Sequence, residues 1–426
     1  MNTLLVAGDN LLQLAANYFV LLEAHEVGAY NARIEEPKTY ASMRLAVWKD
    51  LPETGYHAKV AVPGTGLVAV AATFAAVCER LATRLSSLAE PIHQRASDEF
   101  GGVEVLIGVE RPGPVRRRIK QRTQDEISER LRVLHPGLRI HRARVDGIEL
   151  VHKPVSGETT RYLERLGDSL TVMVARLTET AQLAGRSFDP VPPQLARGFI
   201  LTSTGDSAAE VEELDRVFAE CHNRNAAILV LPELRMPPEL DRRLRELLDA
   251  QDPVRVLLVA AGSWHVADGT GWRNRCKLYD HCGETILEHD KLAEFRLTPE
   301  NVQKQPALRE TLGLDEHGGY ENILRGERLR FCDTPIGRIT LAICAGFMAE
   351  PARGALKAAR ADLYLVPSMS ASTTDSADFA GELARHHGGS TALANCGTVG
   401  KGAGSFVRSA LSRAPVTGQG VCDLLS

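Results

Sequence analysis

Gly337-Arg-Ile-Thr-Leu-Ala-Ile-Cys344-Ala-Gly-Phe347 decides how the second half of this 426-residue chain is read. Ile339 to Ile343 is a short, largely apolar run with β-branched residues, as expected of a strand buried on both faces. The run stops at Cys344, and Ala345-Gly346 supply the small residues that a sharp strand-to-helix turn needs. Glu350-Pro351-Ala352 then reads as a helix start with Pro in the first turn. Cys344 is therefore expected at the carboxyl end of a strand, where a side chain can face a cleft. A lone cysteine in an apolar run is equally an ordinary core residue, so the reading turns on what accompanies it.

Two other strand ends do. Ala226-Ala-Ile-Leu-Val-Leu-Pro232-Glu233 ends in a carboxylate, and Thr285-Ile-Leu-Glu-His-Asp-Lys291 ends in an ammonium. Asn274-Arg-Cys-Lys-Leu-Tyr-Asp-His-Cys-Gly283-Glu-Thr-Ile-Leu287 reads as a hairpin leading to Lys291, and Ala361-Asp-Leu-Tyr-Leu-Val-Pro367-Ser368 as the strand after the cysteine's helix. Glu233, Lys291 and Cys344 in that order, with Thr391–Asn395 and Gly404-Ser405-Phe-Val behind them, resemble the carbon–nitrogen hydrolase (nitrilase) superfamily over about residues 196–410.

The resemblance implies an α/β fold, an α-β-β-α sandwich with helices outside two sheets, and a catalytic set of Glu233, Lys291 and Cys344. It implies a cysteine-dependent hydrolase of a non-peptide C–N bond, amidase-like, working through a thioester on a small-molecule amide or nitrile. Glu233 would be general base and then acid, Lys291 would lower the thiol pKa by opposite charge, and Lys291 with the Ala345 N–H would hold the oxyanion. No step needs a cofactor. Family members often carry a second glutamate; Glu321 is the best-placed candidate, with Glu300 and Glu316 as rivals. Ser368 and Asn395 are candidate substrate-binding residues, and family members commonly pair as homodimers. After Cys344, however, the family usually has an aromatic residue and an acid where this chain has Ala345 and Gly346. That departure motivates an alternative, a catalytically idle ligand-binding or regulatory protein. A different Cys-Lys-acid fold, such as that of the isochorismatase-like hydrolases, fits less well, because those use Asp first and lack the Pro-Glu strand ending.

Composition sets the outer bounds. A length of 426 residues is ample for two domains, and a net charge of −4 gives no reason to expect nucleic acid. Eight scattered cysteines lack Cys-x-x-Cys spacing, and the histidines form no HExxH pattern, so no metal is expected and the usage is that of a cytoplasmic protein. Val60–Cys78 is an uncharged run of membrane-spanning length, but Pro63-Gly64 breaks it, and a buried helix after a turn is the expectation.

Residues 1–186 resemble no family and are expected to be a mixed, mainly helical accessory or regulatory domain that binds a protein partner. Gly101–Gly108 alternates like a strand, Arg116–Arg122 opens a charged helix to about Leu134, and Asp146-Gly147 marks a hairpin within Leu138–Val151. Thr160–Leu183 carries Leu163, Leu166, Leu170, Met173, Val174 and Leu177 at helical spacing and predicts one long helix. Residues 187–195, Pro-rich, are the expected linker, and 196–426 the hydrolase-like domain.

Overall fold

The structure is a computed structural model. It describes residues 6–8, 15–20, 37–50, 58–60, 67–86, 94–97, 103–109 and 138–166. It further describes 170–175, 177, 184–189, 196–203, 207–269, 271–304, 306–396, 404–410, 416–417 and 420–423. The described residues fall into two compact units, one within 6–145 and one within 146–423.

In the first unit, helices Pro37–Asp50 and Leu67–Ser86 accompany a three-stranded antiparallel sheet, Gln94–Ser97, Glu104–Val109 and Leu138–Arg142. Its core gathers Tyr18, Phe74, Val105, Ile107 and Ile140. The strand expected near 101–108 is present, and from Leu67 to Cys78 the apolar run is helical. No helix among the described residues is long and apolar enough to cross a membrane. The charged helix expected after Arg116 lies outside the described residues.

The second unit is built on two sheets. Its strands, in chain order, are β1 Ile148–His152, β2 Thr171–Val174, β3 Ile228–Val230, β4 Leu258–Asp268, β5 Gly271–Asp280 and β6 Thr285–Asp290. They continue with β7 Arg328–Thr334, β8 Gly337–Leu341, β9 Leu363–Ser368, β10 Ser390–Asn395 and β11 Phe406–Arg408. One sheet runs β6-β5-β4-β3-β2 and closes with Gly420–Asp423; the other runs from Val416–Thr417 through β11-β10-β9-β8-β7-β1. β2, β3 and β4 are parallel, as are β8, β9 and β10, so within each sheet these three strands carry their carboxyl ends at one edge. Val172, Val230, Ala260 and Leu278 of one sheet pack on Ile339, Leu341, Leu365 and Ala392 of the other. The outer face of the first sheet is covered by Ser207–Asn223 and Pro238–Asp249 through Leu214, Phe218, Leu240 and Leu244. These are the mixed α/β layers expected from strand and helix alternation.

Three expectations change here. Thr160–Leu183 is not one helix: Gly157–Glu164 is helical, capped by Ser156, and β2 follows. Val172 and Val174 face the sandwich interior while Met173 and Ala175 face the helices, so every position is apolar and no period separates strand from helix. The unit boundary consequently lies near Val145/Asp146 rather than at 187–195, because β1 and β2 are strands of the two sheets. Finally, the strand Arg197–Ser203, at the start of the expected hydrolase-like domain, belongs to a separate small sheet rather than to the two sheets of the sandwich. There Arg197–Ser203 pairs with Ala184–Phe188 and Gly319–Glu321, and the last of these pairs with Arg296–Leu297.

Candidate active site

The site gathers at the carboxyl ends of β3, β8 and β9. Pro232-Glu233 leaves β3 and is tied to the opposite sheet, the Glu233 N–H donating to Ser368 O at 3.3 Å. Gly262 on β4 permits this: at φ 71° it passes so close beneath the turn that a Cβ would lie 2.3 Å from Pro232 O. Cys344 follows β8 with φ 41° and ψ −113°, a conformation that costs a non-glycine residue strain and that clusters at functional turns. Ala345 begins the short helix Ala345–Met348. Pro351 caps the next helix, Ala352–Ala359, rather than lying inside its first turn.

Strand register assembles the rest. His265 on β4 pairs with Asn274 on β5, and the Lys291 N–H after β6 donates to Asn274 O at 2.8 Å. The three residues thus stand in one row across three strands. Lys291 Nζ donates to Glu233 Oε1 at 2.7 Å and to Glu321 Oε2 at 2.6 Å, all three side chains being 1–2% exposed. Asn274 Nδ2 bridges the same two carboxylates, at 2.9 Å to Glu233 Oε1 and 2.7 Å to Glu321 Oε1. His265 Nε2 lies 2.9 Å from Glu321 Oε1, Phe295 N–H donates to Glu321 Oε2 at 3.1 Å, and Met369 N–H donates to Glu233 Oε2 at 3.0 Å.

The electrostatics follow from this packing. Burial by itself works against the Lys291 ammonium, but Glu233 and Glu321 together outweigh it and hold the pKa above its usual value. Burial likewise opposes the Glu321 carboxylate, and Lys291 with His265 overcomes it, holding Glu321 well below the usual range. Cys344 goes the other way. Burial and then the Glu233 charge push its thiol up to about 12, and Lys291, the Met369 backbone and Ser368 recover only part of that. Lys291 does lower the thiol pKa, in the direction expected, but burial and Glu233 together outweigh the ammonium.

Of the three glutamates between Lys291 and Cys344 that were candidates for the second acid, Glu321 is in the cluster, while Glu300 and Glu316 are exposed. Ser368 ends β9, its hydroxyl buried with no hydrogen bond of good geometry but close enough to Cys344 to favour a thiolate. The Asn395 amide is engaged with backbone: Oδ1 accepts from Ser370 N–H at 2.8 Å and Nδ2 donates to Ser370 O at 2.9 Å. His265 and Asn274 were not identified from sequence. Asn274 lay within the hairpin that led to Lys291, and Asp268-Gly269 is a turn signal from which the pairing of 265 with 274 can be counted.

A cavity with about 30 Å³ of free space lies against Glu233, Lys291 and Glu321, its walls formed by Phe199, Leu201, Leu234, Phe295, Leu297, Leu312 and Met369. One group of metal-type side chains occurs among the described residues, Asp280, His281 and Cys282. The Asp280 carboxylate there accepts from Thr159 Oγ1 and from the Cys282 and Glu284 N–H groups, which is the work of a turn.

No protein-family model matches the chain, and no curated protein matches it. Among solved structures it is similar to an amidase from Nesterenkonia sp. AN1 in complex with acrylamide, at 16% identity, 61% of this chain, 91% of that one and a TM-score of 0.40. A variant of the same amidase, carrying the acetamide moiety of fluoroacetamide covalently on its active-site cysteine, aligns at 16% identity, 61% and 92% coverage and 0.40. Nit3 of Saccharomyces cerevisiae, from branch 10 of the nitrilase superfamily, aligns at 16% identity, 60% and 90% coverage and 0.39.

Proposed function

We propose that the second unit is a cysteine-dependent hydrolase of a non-peptide amide C–N bond, with Cys344 as nucleophile, Glu233 as acid–base and Lys291 as electrophile. The observation that carries this is the fully buried Lys291 held between Glu233 and Glu321 at 2.7 and 2.6 Å, with the charges of Lys291 and Glu233 both felt by the Cys344 thiol. Buried ions in this arrangement are costly to assemble and cluster where chemistry needs them.

Because the resting thiol is protonated, attack and deprotonation occur together. As Cys344 Sγ bonds to the carbonyl carbon, its proton passes to a Glu233 oxygen, and the carbonyl electrons move to an oxyanion held by Lys291 and the Ala345 N–H. Glu233 returns the proton to the departing amine, the C–N bond breaks, and a thioester remains on Cys344. Water then gives its proton to Glu233 and its oxygen to the acyl carbon. Collapse expels the sulfur, which takes the proton back. Glu321 never accepts a proton in this cycle; it fixes Lys291.

The test is intact-mass spectrometry of the full chain mixed with small aliphatic amides and quenched in acid. A transient adduct of acyl mass on Cys344, absent in Cys344→Ala, together with ammonia release is the expected result. The raised thiol pKa, together with Ala345 and Gly346 after the cysteine, favours the alternative, an idle ligand-binding protein. Saturable amide binding with neither adduct nor ammonia would establish that alternative in its place.

A further inference from the structure

We propose that His265 is a positioning residue of this site, holding Glu321, and through it Lys291, in register with the strand Arg197–Ser203 that walls the apolar cavity. The inference rests on the hydrolytic reading above. His265 is 2% exposed, and both ring nitrogens are engaged. Leu201 N–H donates to Nδ1 at 2.8 Å, so Nδ1 carries no hydrogen. The ring hydrogen is therefore on Nε2, which donates to Glu321 Oε1 at 2.9 Å.

Leu201 and Phe199, on the same strand, line the cavity, and so does Phe295, whose N–H holds the other Glu321 oxygen. The carboxylate that fixes Lys291 is thus suspended from two cavity walls, and the imidazole is the link to one of them. Without it, Glu321 Oε1 keeps only Asn274, and the carboxylate is free to turn about the remaining contacts. Displacements of that order, well away from the reacting atoms, are costly when catalysis depends on placement.

A histidine that merely satisfied the Leu201 N–H would show none of this coupling. The experiment compares His265→Leu and His265→Gln in the full chain, alone and combined with Glu321→Gln, using ammonia release from butyramide. Gln can accept from Leu201 and donate to Glu321, as the imidazole does. The expected result is a kcat loss of about 10²-fold for His265→Leu with KM within about 3-fold, and recovery by Gln to within about 5-fold of wild type. His265→Leu with Glu321→Gln should be no slower than Glu321→Gln alone, because the histidine acts through the glutamate. Should the Leu variant fail to fold, His265→Asn, too short to span both partners, takes its place.

Losses that multiply in the double variant, or a Leu variant as fast as wild type, would overturn the role of His265 and leave the hydrolytic reading standing. A Gln variant as slow as the Leu variant would do the same. A wild type that neither releases ammonia nor forms an adduct on Cys344 would instead overturn the reading of the site, and the inference with it.

Discussion

The two halves of the candidate site are built on opposite terms. Glu233, Lys291 and Glu321 form a cluster in which three of the four carboxylate oxygens take two or more donors from Lys291, Asn274, His265 or Phe295; the fourth takes Met369 N–H. Cys344 sits on a strained turn with one weak hydrogen bond, Sγ to Met369 O at 4.0 Å, and the Ser368 hydroxyl beside it. The cluster is preorganised before any substrate arrives, whereas the nucleophile is left underbonded and protonated. On the proposed mechanism, rigidity sits where protons and developing charge are handled, and reactivity is held back until Glu233 removes a proton.

Lys291→Met breaks that contrast most severely. It leaves two carboxylates buried side by side with only Asn274, His265 and backbone donors between them. The cost of stranding a buried charge in this way is about 3–5 kcal/mol, so urea unfolding should shift accordingly and hydrolysis should vanish. Cys344→Ala should abolish hydrolysis as completely while moving stability by no more than about 1 kcal/mol, since the sulfur holds so little. Equal destabilisation by both would mean that the halves are not built differently.

The pH dependence of the thiol sharpens the same comparison. With its pKa pushed up to about 12, Cys344 stays protonated through neutral pH, so alkylation by iodoacetamide should climb with pH well past the ~8.5 of a free thiol. Glu233 is one of the two causes that raise it, and removing that charge removes part of the rise. Glu233→Gln should therefore make Cys344 alkylate at lower pH than wild type, even as hydrolysis is lost. Adduct position by peptide mass spectrometry separates Cys344 from the other seven cysteines. A wild-type inflection below 8.5 would mean that Lys291 dominates after all.

What the sequence disclosed follows the same physics. Glu233, Lys291 and Cys344 could be singled out as a set because each follows the end of a strand, and a charged or nucleophilic residue at that place is conspicuous. His265 was not, since its partners Leu201 and Glu321 lie on other strands and only hairpin register brings it beside Asn274. Glu321 could be shortlisted but not chosen over Glu300 and Glu316; burial decides that, and burial of an acid in a loop-rich stretch leaves no periodic trace. β2 was hidden because a strand buried on both faces has no alternation, and its leucines and valines fit a helix equally well. The misplaced boundary is the same error seen at larger scale.

The smallest expected effect concerns a residue two contacts away from Glu233. Asn395 holds Ser370 at both backbone groups, at 2.8 and 2.9 Å, and the preceding residue, Met369, offers its N–H to Glu233 Oε2 at 3.0 Å. Asn395→Ala would leave the Ser370 N–H and C=O seeking partners, a cost of about 1–3 kcal/mol. The turn after β9 then loosens, and the oxygen of Glu233 that Lys291 does not hold loses its fixed donor. Since Lys291 and Asn274 still grip the other oxygen, the carboxylate keeps its place and loses only its angle. Hydrolysis should fall about tenfold, through kcat more than KM, while Lys291→Met remains at background. A loss as large as that of Lys291→Met would put the turn at Ser370, rather than the ion cluster, at the centre of the site's preorganisation.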